Sequence, residues 1–353
     1  MTSGAVAPRE YVFVVDVSGS MRGFPLEVAK KLLRDIVVGM KPEDSFNIIT
    51  FASGSRLFSE TSLPATEANV AAALRFLDEE NGFGGTELLP ALERALALPR
   101  VEGVARTVIV STDGYVDVEK EAFNLVSRNL DRTNVFAFGI GSSVNRYIIE
   151  GLARAGQGEP FIAENAEQAG AVADRFREYI KAPVFTGIRL NIAGFDAYDL
   201  SPGSVPDVFA SRPIVITGKW RGEATGRITL TGWAGGRKRS RTLDVGHFAP
   251  STDNAAIERL WARNEIARLD DYNYILRDDS AVARVTQLGL DYSLLTAYTS
   301  FVAVDEVIRR NERGEIFRVD QALPMPQGVE DSAVGCDFDA ITGFTRSGSR
   351  DLA

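Results

Sequence analysis

Five oxygen-bearing side chains at three separated places are the part of this sequence equipped for chemistry. Asp16-Val17-Ser18-Gly19-Ser20 follows directly on the apolar run Tyr11-Val12-Phe13-Val14-Val15, so a buried strand ends by presenting one carboxylate and two hydroxyls in a tight, glycine-containing turn. Thr86 follows Phe83-Gly84-Gly85, and Asp113 stands in Ser111-Thr112-Asp113-Gly114, after the apolar run Thr107-Val108-Ile109-Val110. Hard oxygen donors of this kind suit Mg²⁺, which keeps several waters and usually meets only one or two carboxylates, with Mn²⁺ or Ca²⁺ as substitutes. Each group lies where a loop leaves one element and meets the next, so three loops are expected to converge on one ion at the carboxyl edge of a parallel sheet. Each residue alone has a plainer use. Ser and Asp after a strand commonly cap the next helix, and Thr86 before Glu87-Leu88-Leu89 is a ready N-cap. Only the joint pattern favours metal binding over capping.

The elements that must position these residues read as a doubly wound α/β fold with a mostly parallel sheet. From Tyr11 to about Ala182, apolar runs alternate with amphipathic helical stripes, the signature of a parallel sheet covered on both faces. Phe46 to Phe51, Thr107 to Val110 and Val135 to Ile140 read as buried strands. Between them Leu26, Ala29, Leu33, Ile36, Val37 and Met40 repeat at helical spacing, and the Lys41-Pro42 step ends that helix. Further core stripes are Val70, Leu74, Leu77; Leu88, Leu92, Ala95, Leu96; and Val172, Phe176, Ile180.

The pattern changes at Lys181-Ala182-Pro183. The expected organisation is a lead over residues 1–10, the α/β domain over 11–182, a small antiparallel β domain over 183–250, a helical extension over 251–305 that returns to the β domain, and a largely flexible tail over 306–353. In the β domain, Ile188 to Ile192, Ile214 to Thr217 and Arg227 to Thr231 place apolar residues at alternate positions. Trp220 and Trp233 read as core or rim packing there. Ser251-Thr252-Asp253 caps a helix carrying Ile257, Leu260, Trp261, Ile266 and Leu269, a second helix spans about Ser280 to Leu288, and the apolar stretch from Tyr292 to Val304 is expected to rejoin the β domain as a strand. Arg237-Lys238-Arg239-Ser240-Arg241 reads as a solvated hairpin rim after Gly235-Gly236, with a docking patch as the alternative.

Asp16-x-Ser18-x-Ser20, Thr86 and Asp113 resemble the metal-ion-dependent adhesion site of von Willebrand factor A domains, with every position filled by the expected residue type. The resemblance implies that Ser18, Ser20 and Thr86 bind the ion directly, that Asp16 and Asp113 often act through water, and that a carboxylate from a partner protein completes the coordination. Neutral hydroxyl ligands leave the ion's charge under-neutralised and receptive to an external anion. Together with Lys31-Leu32-Leu33-Arg34-Asp35 and Leu295-Thr296-Ala297-Tyr298-Thr299-Ser300-Phe301-Val302-Ala303, the motif is similar to the inter-alpha-trypsin-inhibitor heavy chains and their bacterial relatives over roughly residues 10 to 330. Implied are a non-enzymatic adhesion module, a partner presenting Asp or Glu or a second copy of the chain, and an extracytoplasmic or cell-surface setting. The resemblance also implies that the helix bearing Val172, Phe176 and Ile180 slides when a ligand binds and moves the β domain through the short Lys181-Ala182-Pro183 joint; the alternative is a rigid joint braced by the segment after Ser251.

Composition excludes several other classes. The 353-residue chain has ample apolar content (45%) for real cores and a net charge of −9, so neither nucleic acid nor an anionic membrane is an expected partner. No stretch approaches the about 18 apolar residues that span a bilayer, and the N-terminus has no basic start with an apolar signal core, which leaves a cytoplasmic setting open. Cys336 is the single cysteine, so no intrachain disulfide forms. The single histidine, His247, is far in sequence from Asp16 and Asp113. A metal-dependent hydrolase or phosphotransferase using Asp16 or Asp113 is the alternative function, and it wants for a general acid: aspartyl-phosphate hydrolases carry a second acid two residues after the first, where Ser18 stands here. Gly82-x-Gly84-Gly85 lacks the spacing of a dinucleotide fingerprint.

Overall fold

The computed structural model describes residues 7–114, 119–273, 279–301, 304–310 and 316–322. Strand β1 (Arg9–Asp16) is apolar without a break from Tyr11 to Val15 because both of its faces are covered there: Tyr11, Phe13 and Val15 enter one core, Val12 and Val14 the other. The chain runs on through α1 (Phe24–Val38), β2 (Ser45–Phe51), the short β3 (Ser55–Leu57) and β4 (Leu63–Pro64), α2 (Glu67–Asp78) and α3 (Leu88–Ala97) to β5 (Ala105–Thr112). Then follow α4 (Glu119–Arg128), β6 (Asn134–Ile140), α5 (Arg146–Ala155), β7 (Phe161–Ala163) and α6 (Ala166–Tyr179). The sheet order is β3-β2-β1-β5-β6-β7; β1, β2, β5, β6 and β7 are parallel, while β3 and β4 pair antiparallel with β2. This is the doubly wound, mostly parallel sheet read from the sequence.

Helices α1, α2 and α6 supply the core on one face and α3, α4 and α5 that on the other. On the first face Phe138 stacks on Phe161 at 5.0 Å, and Phe176 meets both edge-on at 5.0 and 5.2 Å. Because β1 lies between β2 and β5, the connection leaving the carboxyl end of β1 through α1 and the one leaving that of β5 through α4 run to opposite sides of the sheet. A crevice opens there, where open α/β sheets bind ligands.

The amino edge of the sheet is polar and buried. Arg106 Nε and Nη2 donate to the Glu10 carboxylate at 2.7 and 2.9 Å, Nη1 donates to the Leu98 carbonyl at 2.9 Å, and Nη2 also reaches the Pro99 carbonyl. Asn134 and Asp207 bond each other twice, Asn134 Nδ2 to Asp207 Oδ2 at 2.9 Å and the Asp207 amide to Asn134 Oδ1 at 3.0 Å. The Gly187 amide donates to Asp207 Oδ1 at 2.8 Å. Burial pushes the Asp207 carboxyl from its ordinary 3.8 up to about 6, against the hydrogen bonds from Asn134 and Gly187 and the charges of Arg100 and Arg212, which pull it down. An acid whose folded pKa is raised costs nothing while neutral in both states, and its cost grows as pH climbs from the unfolded to the folded value. The stability of Asp207→Asn relative to wild type is therefore expected to rise by about 2 kcal/mol between pH 4 and pH 7. Urea midpoints at several pH values measure it, and a difference that stays flat with pH contradicts the assignment.

Beyond α6 come β8 (Pro183–Ala193), β9 (Asp196–Ser201), β10 (Val208–Phe209), β11 (Thr217–Arg221), β12 (Arg227–Ala234) and β13 (Arg237–Asp244), then α7 (Ala256–Asn273) and α8 (Asp279–Asp291). The β region is two sheets where the sequence suggests one: a four-stranded sheet in the order β10-β8-β12-β13 and a separate β9-β11 pair. The expected strand at Ile214 to Thr217 begins only at Thr217. Pro213 has no N–H to give a ladder, and the buried Arg212 before it is anchored to the Gly156 carbonyl at 2.9 Å and to the Gln157 carbonyl. Trp261, Ala262 and Ile266 of α7 pack on Val285 and Leu288 of α8 in a small core of their own.

The β region is fastened to the α/β domain at more places than the Lys181-Ala182-Pro183 joint. Besides the Asn134–Asp207 pair, α7 bridges the two: its Trp261 Nε1 donates to the Asp199 carbonyl of β9 at 2.9 Å, and its Asp271 carboxylate is held by Arg154 of α5 at 2.8 and 2.5 Å. Tyr147 of α5 donates to the Asp271 carbonyl.

Two expectations for the end of the chain are corrected. The stretch from Tyr292 does not rejoin the β domain as a strand: residues 292–301 make turns closed by a Thr296–Thr299 bridge, because the Thr299 hydroxyl donates to the Leu294 carbonyl at 2.9 Å and accepts from the Thr296 amide at 3.1 Å. Part of the expected flexible tail, 306–353, is strand. β14 (Val304–Arg310) and β15 (Ile316–Ala322) form an antiparallel pair. Residues 323–353, with Cys336, lie outside the described residues. These strands belong to a second compact unit, Ser300–Ala353, the first being Met1–Thr299.

Candidate metal centre

Strand β1 ends at Asp16, which is 0% exposed, and β5 ends one residue before Asp113, which is 6% exposed. The two ends are tied together by a residue between them. Asp16 Oδ2 accepts from the Thr112 hydroxyl at 2.5 Å, and Thr112 Oγ1 in turn accepts from the Gly114 amide at 3.0 Å. Asp16 Oδ1 accepts from the Ser18 amide at 2.9 Å, which curls the turn so that Ser18 Oγ and Ser20 Oγ lie 3.1 Å apart. The Asp113 carbonyl accepts from the Asn145 amide at 2.8 Å, just ahead of α5.

The loop carrying Thr86 is pinned against this turn by backbone. The Gly19 amide donates to the Gly84 carbonyl at 2.9 Å and the Phe83 amide to the Val17 carbonyl at 3.0 Å. From the β2 side, Ser53 Oγ accepts the Gly85 amide at 2.6 Å, and the Glu87 amide donates to the Ala52 carbonyl at 2.8 Å. Two glycines are required by this packing. Gly84 has φ +95°, and a Cβ there would lie 2.8 Å from Ser53 Oγ; Gly114 has φ +87°, and its Cβ would lie 2.9 Å from Asn145.

The capping alternative receives no support from the geometry. Ser18 precedes the 3₁₀ turn Gly19–Met21 without a side-chain cap, and α3 starts after Glu87, not Thr86, again without one. Burial pushes Asp16 up to about 6; the Ser18 and Thr112 hydroxyls and the Ser18 amide pull it down, and the charge of Asp113 pushes it up again. The neighbours of this buried carboxylate are thus hydroxyls, an amide and a second acid.

A family model for the von Willebrand factor type A domain matches residues 9–160. Over residues 9–160 the chain is similar to von Willebrand factor type A domains. A von Willebrand factor A domain-containing protein of Dictyostelium discoideum is 24% identical over 311 residues, covering 83% of this chain and 36% of that protein. Inter-alpha-trypsin inhibitor heavy chain H2 of Sus scrofa is 24% identical over 348 residues, covering 91% of this chain and 36% of that protein. The chain therefore spans about a third of the length of these relatives. Among solved structures, the von Willebrand factor type A protein from Catenulispora acidiphila superimposes with a TM-score of 0.54 at 15% identity over 81% of this chain and 80% of that one, a likeness of fold.

The donor chemistry of this site fits a hard divalent cation. All candidate ligands are oxygens, and three of five are neutral. Among the described residues no group of three or more His, Cys, Asp or Glu gathers anywhere, so a carboxylate cage is not what this arrangement offers. Thr112 and Ser53 escaped the sequence reading although both hold the site together. Thr112 had a signal, its place beside Asp113 at a strand end; Ser53 in Ala52-Ser53-Gly54 looks like any turn serine, and only the fold brings it to Gly85. His247 is exposed in the 3₁₀ turn after β13 and belongs to the β region. No helix among the described residues is long and apolar enough to cross a membrane.

Proposed function

We propose that this A domain is a non-enzymatic protein-binding module that takes an acidic residue of a partner protein through a divalent ion, Mg²⁺ before Mn²⁺ or Ca²⁺, held by Asp16, Ser18, Ser20, Thr86 and Asp113. Domains of this family generally serve protein–protein interaction. The observation that carries the reading is Asp16: a carboxylate at 0% exposure, beside a second acid and with hydroxyl and amide donors as its neighbours. Burying such a charge is costly unless a cation compensates it. A bound divalent ion would supply that compensation and residual positive charge toward an incoming carboxylate.

The chain's own residues do the rest. Thr112 and the Ser18 amide orient Asp16, and the Gly84–Gly19 and Gly85–Ser53 bonds hold Thr86's loop to the Ser18–Ser20 turn. Phe83, 87% exposed on the same loop, offers the partner an apolar contact beside the charged one. An extracytoplasmic or cell-surface setting belongs to the same reading, as does a second copy of the chain as an alternative partner. Capture on the immobilised chain tests it. A partner should be retained by wild type in Mg²⁺ and released by EDTA, with Thr86→Ala retaining none. Among single Asp→Asn and Glu→Gln changes on that partner's surface, one should remove most of the affinity. Retention that ignores EDTA contradicts the proposal.

A further inference from the structure

Strand β13 is the outer strand of the four-stranded sheet. All eight of its residues pair with β12, and its other edge meets no strand among the described residues. Arg237 to Leu243 are exposed without a break, so both faces of the strand meet solvent along with a row of backbone donors and acceptors. Four of these residues are cations: Arg237, Lys238, Arg239 and Arg241. None of them takes part in an ion pair among the described residues. The two-residue period of a strand puts Arg237, Arg239 and Arg241 on one face, opposite the small or aliphatic Ala234, Gly232 and Leu230 of β12, and Lys238 on the other face beside Trp233. In a protein of net charge −9 this strand is a local reversal of sign.

Basic residues on an edge strand are one ordinary defence against edge-to-edge pairing. Against a second copy of this chain the defence works, since β13 laid on β13 brings like charges opposite one another. Against an acidic strand the same residues attract. We propose that β13 receives an extended acidic segment of a partner protein by strand addition. The open backbone edge supplies the hydrogen bonds, and carboxylates at every second position of the incoming segment, repeating at ~6.8 Å, meet Arg237, Arg239 and Arg241 at their own two-residue spacing. This surface is separate from the Asp16 crevice and needs no metal ion.

The test uses the full chain in EDTA and a fluorescent, end-blocked eight-residue peptide with Glu at alternate positions and Thr or Val between. Anisotropy titrations compare it with the same peptide N-methylated at alternate backbone nitrogens, which keeps the charge but cannot extend a ladder, and with a peptide carrying Lys for Glu. The acidic peptide should bind in EDTA at least about tenfold more tightly than its N-methylated form, weaken steeply with salt, and lose about tenfold or more in affinity to Arg239→Glu/Arg241→Glu. The Lys peptide should not bind. No binding, equal binding of the N-methylated peptide, or binding that requires Mg²⁺ each overturns the proposal: the last two would mean charge attraction alone, or capture by the ion site.

Discussion

Asp16→Asn should weaken Mg²⁺ binding by about 10- to 100-fold, the range seen when a group that orients a metal's ligands or waters is lost. It should do so without unfolding the protein. Asn keeps the shape of Asp, and its side-chain oxygen can still accept from the Ser18 amide or the Thr112 hydroxyl, now held by the carboxylate at 2.9 and 2.5 Å. It removes a charge from a site at 0% exposure, so in EDTA the variant is expected to melt no lower than wild type. In wild type, melting temperature should climb with Mg²⁺ concentration, because a ligand that binds only the folded state stabilises it by mass action; in the variant the climb should shift to much higher concentrations. Calorimetric Mg²⁺ titrations and melting curves run side by side separate binding from folding. Equal uptake by both proteins would remove Asp16 from the site.

Glu10→Ala is expected to cost about 3–5 kcal/mol, the largest loss of stability foreseen for one side chain here. Arg106 is 2% exposed and Glu10 4%, and their two hydrogen bonds of 2.7 and 2.9 Å join β5 to β1 at the amino edge of the sheet. Deleting the acid strands a buried guanidinium and also frees Ser62 Oγ, which donates to Glu10 at 2.5 Å. Replacing both members, Glu10→Leu with Arg106→Met, should recover much of the loss, since the penalty is chiefly the unpaired charge. Urea midpoints of the single and double variants decide: additive losses would mean the pair is not coupled and the account of this edge is wrong.

The α/β domain was legible because its information is local. Strands buried on both faces must be apolar throughout, as Tyr11 to Val15 and Val135 to Ile140 are, and helices packed on one side must carry stripes such as Leu26, Ala29, Leu33 and Ile36. The loops that carry the five candidate ligands were legible for a related reason, since each follows an apolar run or precedes a helical stripe, and hydrogen bonds tie those loops together. The β region was legible only as a class. Short alternating segments say that strands exist but not which strand each will pair with, so the separate β9-β11 pair could not be seen.

The sequence by itself determined the α/β class, the order of the elements and the oxygen chemistry at the carboxyl edge, because periodicity and residue type act over a few neighbours. Only the tertiary structure decided that β1 lies between β2 and β5, that Thr112 and Ser53 hold the Asp16 and Thr86 loops, and that Asn134 locks onto Asp207 across 73 residues. Those outcomes depend on which distant groups meet once apolar faces are buried. Each polar group enclosed there must then find a partner from whatever part of the chain has come to lie beside it.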